Sequence, residues 1–598
     1  THTSHLTPHN AMRKSTTAHR PRRAAIVRAA LLMSCPWAIV PLCAQDISQI
    51  AQSDPLVISG SIGTNNTYFH STGGNSYMSP LSNSVFANLN LNVYGFSMPF
   101  SVYFSNDNLR WSYPQFSFSL SPSYKHFTAH IGQSSMPFSP YVLNMSFNGV
   151  GLEYRDKRFR ASAFYGVLRR AVNDDPEDPS PRRPQYRRYG WGLSAGYGQN
   201  GNSIDLYLLR AYDSEGSLDE RWRESVRPQE NLVLGLRGQL TWKHRLSLSA
   251  NVATSAFTAD KTARRVETPE ARRWDKVFDT RYTSSLRFAG DATLSLSLRG
   301  VQASIFYKYI QPDYASLGTY HTSNNYHTLG LSVGTTLLRR LSLSASFSGQ
   351  EDNLSRQQLY TTRGCVYNAM ASLRVSDRLS VTALYNGYLQ GQSDGTAAVN
   401  DTTEIHRALH SVSLIPTYSV SGETLDHTVS LSANYTANRD LNRFSVGESD
   451  VTTLALGASY DVNVRPWETH FTLAMSHQSS RGFSSGYTSD VASLTTGRSF
   501  LKERNLNASA TVSLNYNEVR HQSKSLSIGA DLSAGYTLKK YHSFSLSASF
   551  SQYGDVNMDK ARGKLDARDV RLTFNYLYTF TLLHVGRKHK EGGGGGER

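Results

Sequence analysis

Residues 83–105 decide the fold, and they read Asn-Ser-Val-Phe-Ala-Asn-Leu-Asn-Leu-Asn-Val-Tyr-Gly-Phe-Ser-Met-Pro-Phe-Ser-Val-Tyr-Phe-Ser. Apolar side chains alternate with asparagine in the first half and with serine in the second half. Successive side chains of a strand point to opposite faces, so one face is apolar and the other is polar but nearly uncharged. The stretch therefore predicts two consecutive strands, each with one apolar and one polar face.

The same alternation returns to the end of the chain in segments of about 10–14 residues, joined in turn by tight turns and longer loops. It predicts about 26 strands, an even number. They are 56–69, 83–93, 97–106, 115–121, 124–133, 146–155, 158–169, 188–198, 203–211, 230–242, 245–257, 283–299, 301–311, 326–337, 341–349, 362–375, 379–390, 405–420, 426–437, 448–463, 467–478, 488–500, 505–517, 524–537, 541–553 and 568–582.

The predicted fold class is all-β: a transmembrane, antiparallel, up-and-down β-barrel. A hydrophobic content of 39% is low for a helical membrane protein, which needs about 18 continuous apolar residues per span. A transmembrane barrel spends only every second residue on lipid, so its composition resembles that of a soluble protein. With both ends of the barrel in the periplasm, all short turns fall on one side, and this arrangement closes only with an even strand count.

The predicted organisation has four parts: residues 1–44 as a signal peptide with upstream residues, 45–55 as a short lead-in, 56–582 as the barrel, and 583–598 as a disordered tail. Residues 1–44 contain six basic residues and no acidic one. A basic segment followed by an interrupted apolar segment is typical of a secretory signal peptide; lipidation at Cys35 is the alternative. The short lead-in leaves no room for an N-terminal plug domain, which argues against a TonB-dependent receptor.

The formal charge of +16 does not indicate nucleic-acid binding. Six of those charges belong to the predicted leader, and the other ten are spread over turns and loops rather than gathered on one face. Only Cys365 remains in the predicted mature chain, so neither an internal disulfide nor a cysteine zinc site is expected.

The last predicted strand, Val570–Phe580, carries aromatic residues at every second position near its end: Phe574, Tyr576, Tyr578 and Phe580. It resembles the C-terminal strand of outer-membrane β-barrels, which the outer-membrane insertion machinery reads. Together with segments such as Phe116–Lys125 and Phe164-Tyr165-Gly166, the mature chain resembles the large outer-membrane β-barrel proteins of Bacteroidota. The resemblance implies this fold and a location in the outer membrane of a Gram-negative bacterium; it supplies no substrate and no functional residues.

Seven charged residues follow the polar phase of the alternation and are predicted to face the barrel interior. A charge facing lipid would cost several kcal/mol, so inward placement is favoured. These residues either set ion and solute selectivity or brace the wall through salt bridges, and both interpretations remain open. They are Glu153, Asp205, Arg237, Arg287, Lys308, Arg374 and Asp531.

No cofactor or metal is predicted. His321, His327, His406 and His410 lack zinc-ligand spacing, and we interpret them as polar residues at loop edges. Ser, His and Asp are abundant, but no nucleophile motif accompanies them, so an outer-membrane hydrolase is a distant alternative.

Seven aromatic residues near strand ends are predicted to form girdles at the two membrane interfaces, where amphipathic rings are favoured. They are Tyr94, Tyr103, Tyr154, Trp191, Trp242, Tyr516 and Tyr536.

Two functions remain open. The first is a pore or translocation component for solutes or partner proteins. The second is a surface or scaffold barrel whose long loops bind lipopolysaccharide or an envelope partner, including a secretion-system accessory role. The lipid bilayer is the expected environment in both.

Overall fold

The computed structural model describes residues 56–585 except 73–79, 95, 107–115, 174–182, 270–276, 321–322, 401, 403, 446–448, 483–485, 502, 521 and 556–566. The predicted signal peptide, the lead-in, His321 and most of the predicted tail lie outside the described residues.

The described chain folds almost wholly into β-strands. Strands β1 to β9 are Leu56–Ser71, Leu81–Val93, Phe96–Ser105, Phe116–Leu120, Ser123–Tyr124, Phe127–Ser134, Phe147–Arg155, Phe159–Arg169 and Arg188–Gln199. Strands β10 to β18 are Asn202–Asp213, Glu230–Trp242, Leu246–Thr258, Ser284–Leu298, Val301–Ile310, Tyr326–Leu337, Leu341–Asp352, Tyr360–Arg374 and Leu379–Asp394. Strands β19 to β27 are His406–Ser421, Leu425–Asp440, Val451–Val464, Thr469–Arg481, Tyr487–Phe500, Leu506–Val519, Ser523–Leu538, His542–Asp555 and Ala567–Val585.

These strands form one closed antiparallel barrel in which each strand pairs with its neighbours in sequence. Strands β4 and β5 both lie between β3 and β6, so the 27 strands occupy 26 positions of the wall. Closure is made by β1 and β27, which pair over all 16 residues of β1. The predicted all-β barrel of about 26 strands is confirmed.

The opening stretch forms β2 and β3, as predicted. Their register places Val85 opposite Phe104 and Leu89 opposite Phe100, so the apolar residues of both strands share one face. On the other face, Ser97 Oγ donates a hydrogen bond to Asn90 Oδ1 over 3.0 Å. Cross-strand pairs of this kind set the register, because a slip of one residue would exchange the two faces.

Short turns join the strands at one end of the barrel, and Leu56 and Val585 pair at this same end. Several of these turns hold residues at positive φ, for example Lys243 and His244 at 48° and 54°. Two consecutive residues of this kind give the turn a twist that matches the flanking strands. The longer connections lie at the opposite end.

In the described part of the chain, helix is confined to short pieces: 3-10 turns at Glu215–Ser217 and Arg465–Trp467, and an α-helix at Glu220–Arg223. None of the described helices has the length and apolar character needed to cross a membrane.

Candidate functional site

The wall has two chemically different faces, and the exposed leucines identify one of them. Leu206 and Leu236 lie opposite each other, 58% and 38% exposed, although both are large and apolar. We call this side the apolar face. The neighbouring residues Asp205 and Arg237 also lie opposite each other, on what we call the polar face.

A row of charged and amide side chains crosses the polar face of seven consecutive strands, β8 to β14. Direct cross-strand neighbours place its members side by side, and we call the set the polar row. It runs Arg160, Gly196, Asp205, Arg237, Asn251, Asp291 and Lys308. Positive and negative residues are interspersed along this row.

Arg160 and Asp205 form a bidentate ion pair although they lie on strands that do not touch. The Arg160 Nε donates to Asp205 Oδ1, and Nη2 donates to Oδ2 over 2.7 Å. Gly196 lies between them, and a Cβ added there would sit 1.9 Å from Asp205 Oδ1. A glycine is therefore required for the pair to cross the intervening strand.

Two connections pack together on the polar face above this row: residues 135–146 and 311–325, of which 321 and 322 are not described. We call them the loop pair. Tyr314 Oη donates to the Tyr141 carbonyl over 2.8 Å, and Ser316 Oγ donates to the Val142 carbonyl over 2.7 Å. Val142 and Tyr314 are completely buried. The loop pair thus belongs to the buried hydrophobic cluster of the described chain.

Aromatic and aliphatic side chains attach the loop pair to the wall. Phe138 packs edge-on against Phe164 of β8, with ring centroids 5.6 Å apart, and at 5.5 Å from Tyr207 of β10. Leu209 and Val233, on the same face, are fully buried in this cluster. Burial of this apolar surface favours the docked arrangement by about 25 cal/mol for each Å² removed from water.

Hydrogen bonds join the loop pair to the polar row itself. Ser139 Oγ donates to Asn251 Oδ1 over 2.8 Å, and Tyr141 Oη donates to Asp291 Oδ1 over 2.7 Å. Burial, followed by this bond to Asp291, raises the pKa of Tyr141 far above its ordinary value. Burial alone likewise raises the pKa of Tyr314. Both phenols therefore stay protonated and continue to donate.

A second set of hydrogen bonds joins residues 311–325 of the loop pair to strands β11 and β12. The Leu317 amide donates to Asn231 Oδ1 over 3.0 Å, and Ser255 Oγ donates to the Ala315 carbonyl over 2.5 Å. Asn231 Nδ2 in turn donates to Ser255 Oγ over 2.7 Å. Because these buried groups satisfy each other, loss of one partner would leave an unpaired polar atom in the interface.

Three of the seven predicted charged residues meet in one place. Glu153, Asp205 and Arg237 line a polar cavity of about 420 Å³ between the short turns and Pro137 of the loop pair. Asp205 is only 7% exposed.

Two others flank the loop pair. Arg287 Nη2 lies 3.7 Å from Asp313 Oδ2, and Lys308 Nζ lies 5.4 Å from the centre of the Tyr326 ring. Arg374 on β17 and Asp531 on β25 are exposed and stand apart from this group. The wall thus brings five of the seven residues into one sector and leaves two outside it.

Sequence reasoning missed Arg160, Asp291 and the loop of residues 135–146. The two charges follow the same alternation that selected the other seven, so the pattern contained that information. The loop has an unusual composition for a connection, because residues 136–145 include Met136, Phe138, Tyr141, Val142, Leu143 and Met145. So many apolar residues in a connection could have indicated that this loop is buried against the wall.

The structure shows which face the predicted girdle aromatics take, except for Tyr94, which lies in a turn at φ 48°; the girdles themselves stay a prediction. Trp191 and Trp242 share the apolar face with their neighbours Tyr165 and Leu246, as do Tyr154, Tyr516 and Tyr536 with theirs. The prediction is wrong for Tyr103, which pairs with Phe86 on the polar face. Its neighbour Phe104 takes the apolar face. Adjacent residues of a strand cannot share a face.

The histidines that suggested a metal take other contacts. His406 and His410 lie in β19, and His410 Nδ1 is 2.9 Å from Tyr385 Oη. His327 lies 6.1 Å from the Tyr307 ring. Within the described ranges, no three His, Cys, Asp or Glu side chains cluster in a way that could hold a metal ion.

The sequence matches no protein family model and no curated protein. Solved structures similar to it include OccAB2 of Acinetobacter baumannii, with 12% identity over 64% of this chain and 98% of that chain and a TM-score of 0.30. The P pilus usher (PapC) translocation pore shows 12% identity over 88% and 100%, with a TM-score of 0.34. BauA, the ferric preacinetobactin receptor of Acinetobacter baumannii, shows 11% identity over 87% and 80%, with a TM-score of 0.35. These values carry no functional assignment, so function is argued from the residues of this chain.

Proposed function

We propose that the chain is a pore, or the pore component of a translocation system, in the outer membrane of a Gram-negative bacterium. The observation that carries the proposal is the polar row on the face opposite the exposed leucines of a closed barrel. Arg or Lys on the lipid side costs about 2–4 kcal/mol at the midplane, so the polar face must line the interior. The seven charged residues predicted from the alternation then face water.

The size of the wall supports a water-filled interior. A barrel of 26 positions, with strands about 4.8 Å apart and tilted about 40°, is on the order of 50 Å across if circular. Among the described residues, the cluster around the loop pair spans the sector from β7 to β15. Elsewhere on the polar face, Asn368 and Asn386 lie opposite each other and are exposed. We propose that the loop pair narrows the interior on one side, where the polar row sets the local field.

The test is single-channel conductance of the purified protein in planar bilayers. We expect large, stable current steps whose cation-to-anion preference shifts toward cations in Arg237→Ser and Arg374→Ser, because each change removes a positive charge from the interior. Arg339→Ser removes the same charge from a short turn and serves as the matched control. A folded, heat-modifiable barrel that carries no current would overturn the proposal.

A second function is favoured by the ordered connections at the long-loop end. Asp213, 1% exposed, accepts from Arg188 Nε over 2.7 Å and from the Gln229 amide over 3.1 Å. Lys261 Nζ contributes an ion pair of 3.3 Å to Glu215 across two of these connections. Such a braced surface would suit a scaffold barrel that binds an envelope partner or lipopolysaccharide. Absence of current, with a partner that copurifies, would favour this function.

A further inference from the structure

The polar cavity beside Pro137 has an unequal charge lining. Its basic residues are Arg155, Lys157, Arg158, Arg160 and Arg237, and its acidic residues are Glu153, Asp156 and Asp205. Hydroxyl and amide groups of Ser162, Ser194, Ser203 and Gln239 also line it, together with aromatic and aliphatic side chains such as Phe159 and Tyr207. At about 420 Å³, the space is large enough for a small organic solute rather than a single ion.

Each acidic group of the lining has a basic neighbour. Asp205 gives both carboxylate oxygens to Arg160, as described above. Glu153 Oε1 lies 3.6 Å from His130 Nε2, and Asp156 Oδ1 lies 3.8 Å from His126 Nδ1. Of the three carboxylates, only Asp205 is therefore hydrogen-bonded to a guanidinium group.

Most basic residues of the lining, by contrast, have no carboxylate partner among the described residues. Arg237 is the direct cross-strand neighbour of Asp205, yet Arg160 reaches across Gly196 and takes that carboxylate. Within the described part of the chain, no carboxylate lies within 4.0 Å of Arg155, Arg158 or Arg237. The cavity therefore offers guanidinium donors, which suit carboxylate and phosphate geometry.

We propose that this cavity is a binding site for a small organic anion, a hydroxylated solute that carries a carboxylate or a phosphate. Arg237 contacts the anionic group, while the serine hydroxyls and Gln239 contact the hydroxyls of the solute. Arg160 acts as a positioning residue, because its pairing with Asp205 keeps Arg237 available. The inference rests on the proposed function, in which this face lines the interior, and names the class of solute that the pore would select.

Binding is tested by isothermal titration calorimetry on the detergent-solubilised full chain with gluconate, glucose 6-phosphate and glucose. We expect the two anions to bind and neutral glucose not to bind. Arg237→Gln should weaken anion binding roughly tenfold, the value of one charge-assisted hydrogen bond. Arg374→Gln makes the same change at an exposed position of β17 outside the cavity and should leave binding unchanged.

The two members of the Arg160–Asp205 pair should act in opposite directions. Arg160→Gln frees Asp205 to pair with Arg237, so anion binding should fall. Asp205→Asn removes the negative charge and keeps Arg237 available, so anion binding should tighten. A pair that only braces the wall would not separate the variants in this way, and binding that both variants weaken would overturn the assignment of Arg160.

The two proposals fail in distinguishable ways. Conducting channels whose current neither anion blocks, in a protein that shows no calorimetric binding, would overturn the anion site and leave the pore intact. Anion binding that Arg237→Gln weakens, in a barrel that carries no current, would support the site and overturn the pore. Equal binding of glucose and gluconate would overturn the charge-based recognition.

Discussion

At the scale of single residues, the site depends on positions where the wall lacks a side chain. A Cβ at Gly235 would sit 2.7 Å from Val142 Cγ2 of the loop pair, closer than such atoms approach in folded proteins. Gly196 plays the corresponding part for the ion pair between Arg160 and Asp205. The polar face therefore carries charged side chains and also glycines that leave space beside them. The loop pair packs into the space at Gly235, and the ion pair crosses the wall at Gly196.

We expect Gly235→Ala to displace the loop pair. The added methyl group must push Val142 out of a fully buried position, at a cost of about 1–3 kcal/mol for overpacking. Single-channel conductance should rise or become unsteady, and limited proteolysis should cut within residues 135–146. Gly238→Ala on the same strand is the control, because its Cβ meets only the Ser203 carbonyl oxygen at 4.0 Å. Equal behaviour of the two variants would contradict the assigned contact.

At the scale of elements, the loop pair is held by neutral phenols, and this makes its docking dependent on pH. Tyr141 and Tyr314 have pKa values raised above the ordinary 10.0 by burial, and Asp291 adds to the shift at Tyr141. In the undocked loops these groups would ionise near pH 10. A pKa raised in the docked state stabilises docking fully below pH 10, and this stabilisation falls as the pH rises above 10.

We expect the loop pair to loosen above pH 10, seen as a single-channel conductance that stays steady up to pH 10, the ordinary pKa of tyrosine, and rises above it. Tyr141→Phe together with Tyr314→Phe removes both ionisable groups and should abolish this rise. The double variant also loses the bonds to Asp291 and to the Tyr141 carbonyl, so its conductance at pH 8 should already be higher. A rise that persists unchanged in the double variant would assign it to other groups.

At the scale of the whole molecule, the barrel exists only when β27 closes on β1. The register places Tyr578 opposite Ile62 and Phe580 opposite Gly60. His542 stacks on Tyr578 with ring centroids 4.5 Å apart, and Phe580 lies 5.2 Å from the Tyr578 ring. We propose that Phe574, Tyr576, Tyr578 and Phe580, which share one face of β27, form the signal for the outer-membrane insertion machinery.

We expect Phe580→Ala to lower the yield of folded barrel in the outer membrane several-fold, because it removes a ring that is only 6% exposed from the closing strand. A Phe→Ala change at such a site also costs about 3–5 kcal/mol of stability. Phe550→Ala, in the neighbouring strand at 37% exposure, is the control. The fraction of heat-modifiable protein in purified membranes, together with in vitro refolding into lipid, separates recognition from stability. A defect confined to cells would support the signal, and an equal defect in both assays would contradict it.

The alternation of single residues was enough to predict the barrel. Val85, Leu89 and Phe100 already show which face each strand must present, and a period of two leaves little choice once one face is apolar. For the same reason, all 26 wall positions and the common end of the short turns could be predicted from local patterns. Residue type alone predicted the wrong face for Tyr103. Its position in the alternation, next to Phe104, decided the face.

Only the tertiary structure decided where the site lies. Nothing local indicates that Phe138 meets Tyr207, that Tyr141 reaches Asp291 150 residues away, or that Arg160 crosses Gly196 to take Asp205 from Arg237. The sequence by itself determined the two faces and the closed wall, since alternation and turn length act between neighbours in the chain. The loop pair and the polar row depend on contacts between distant residues, which exist only after closure of the barrel has set the register of every strand.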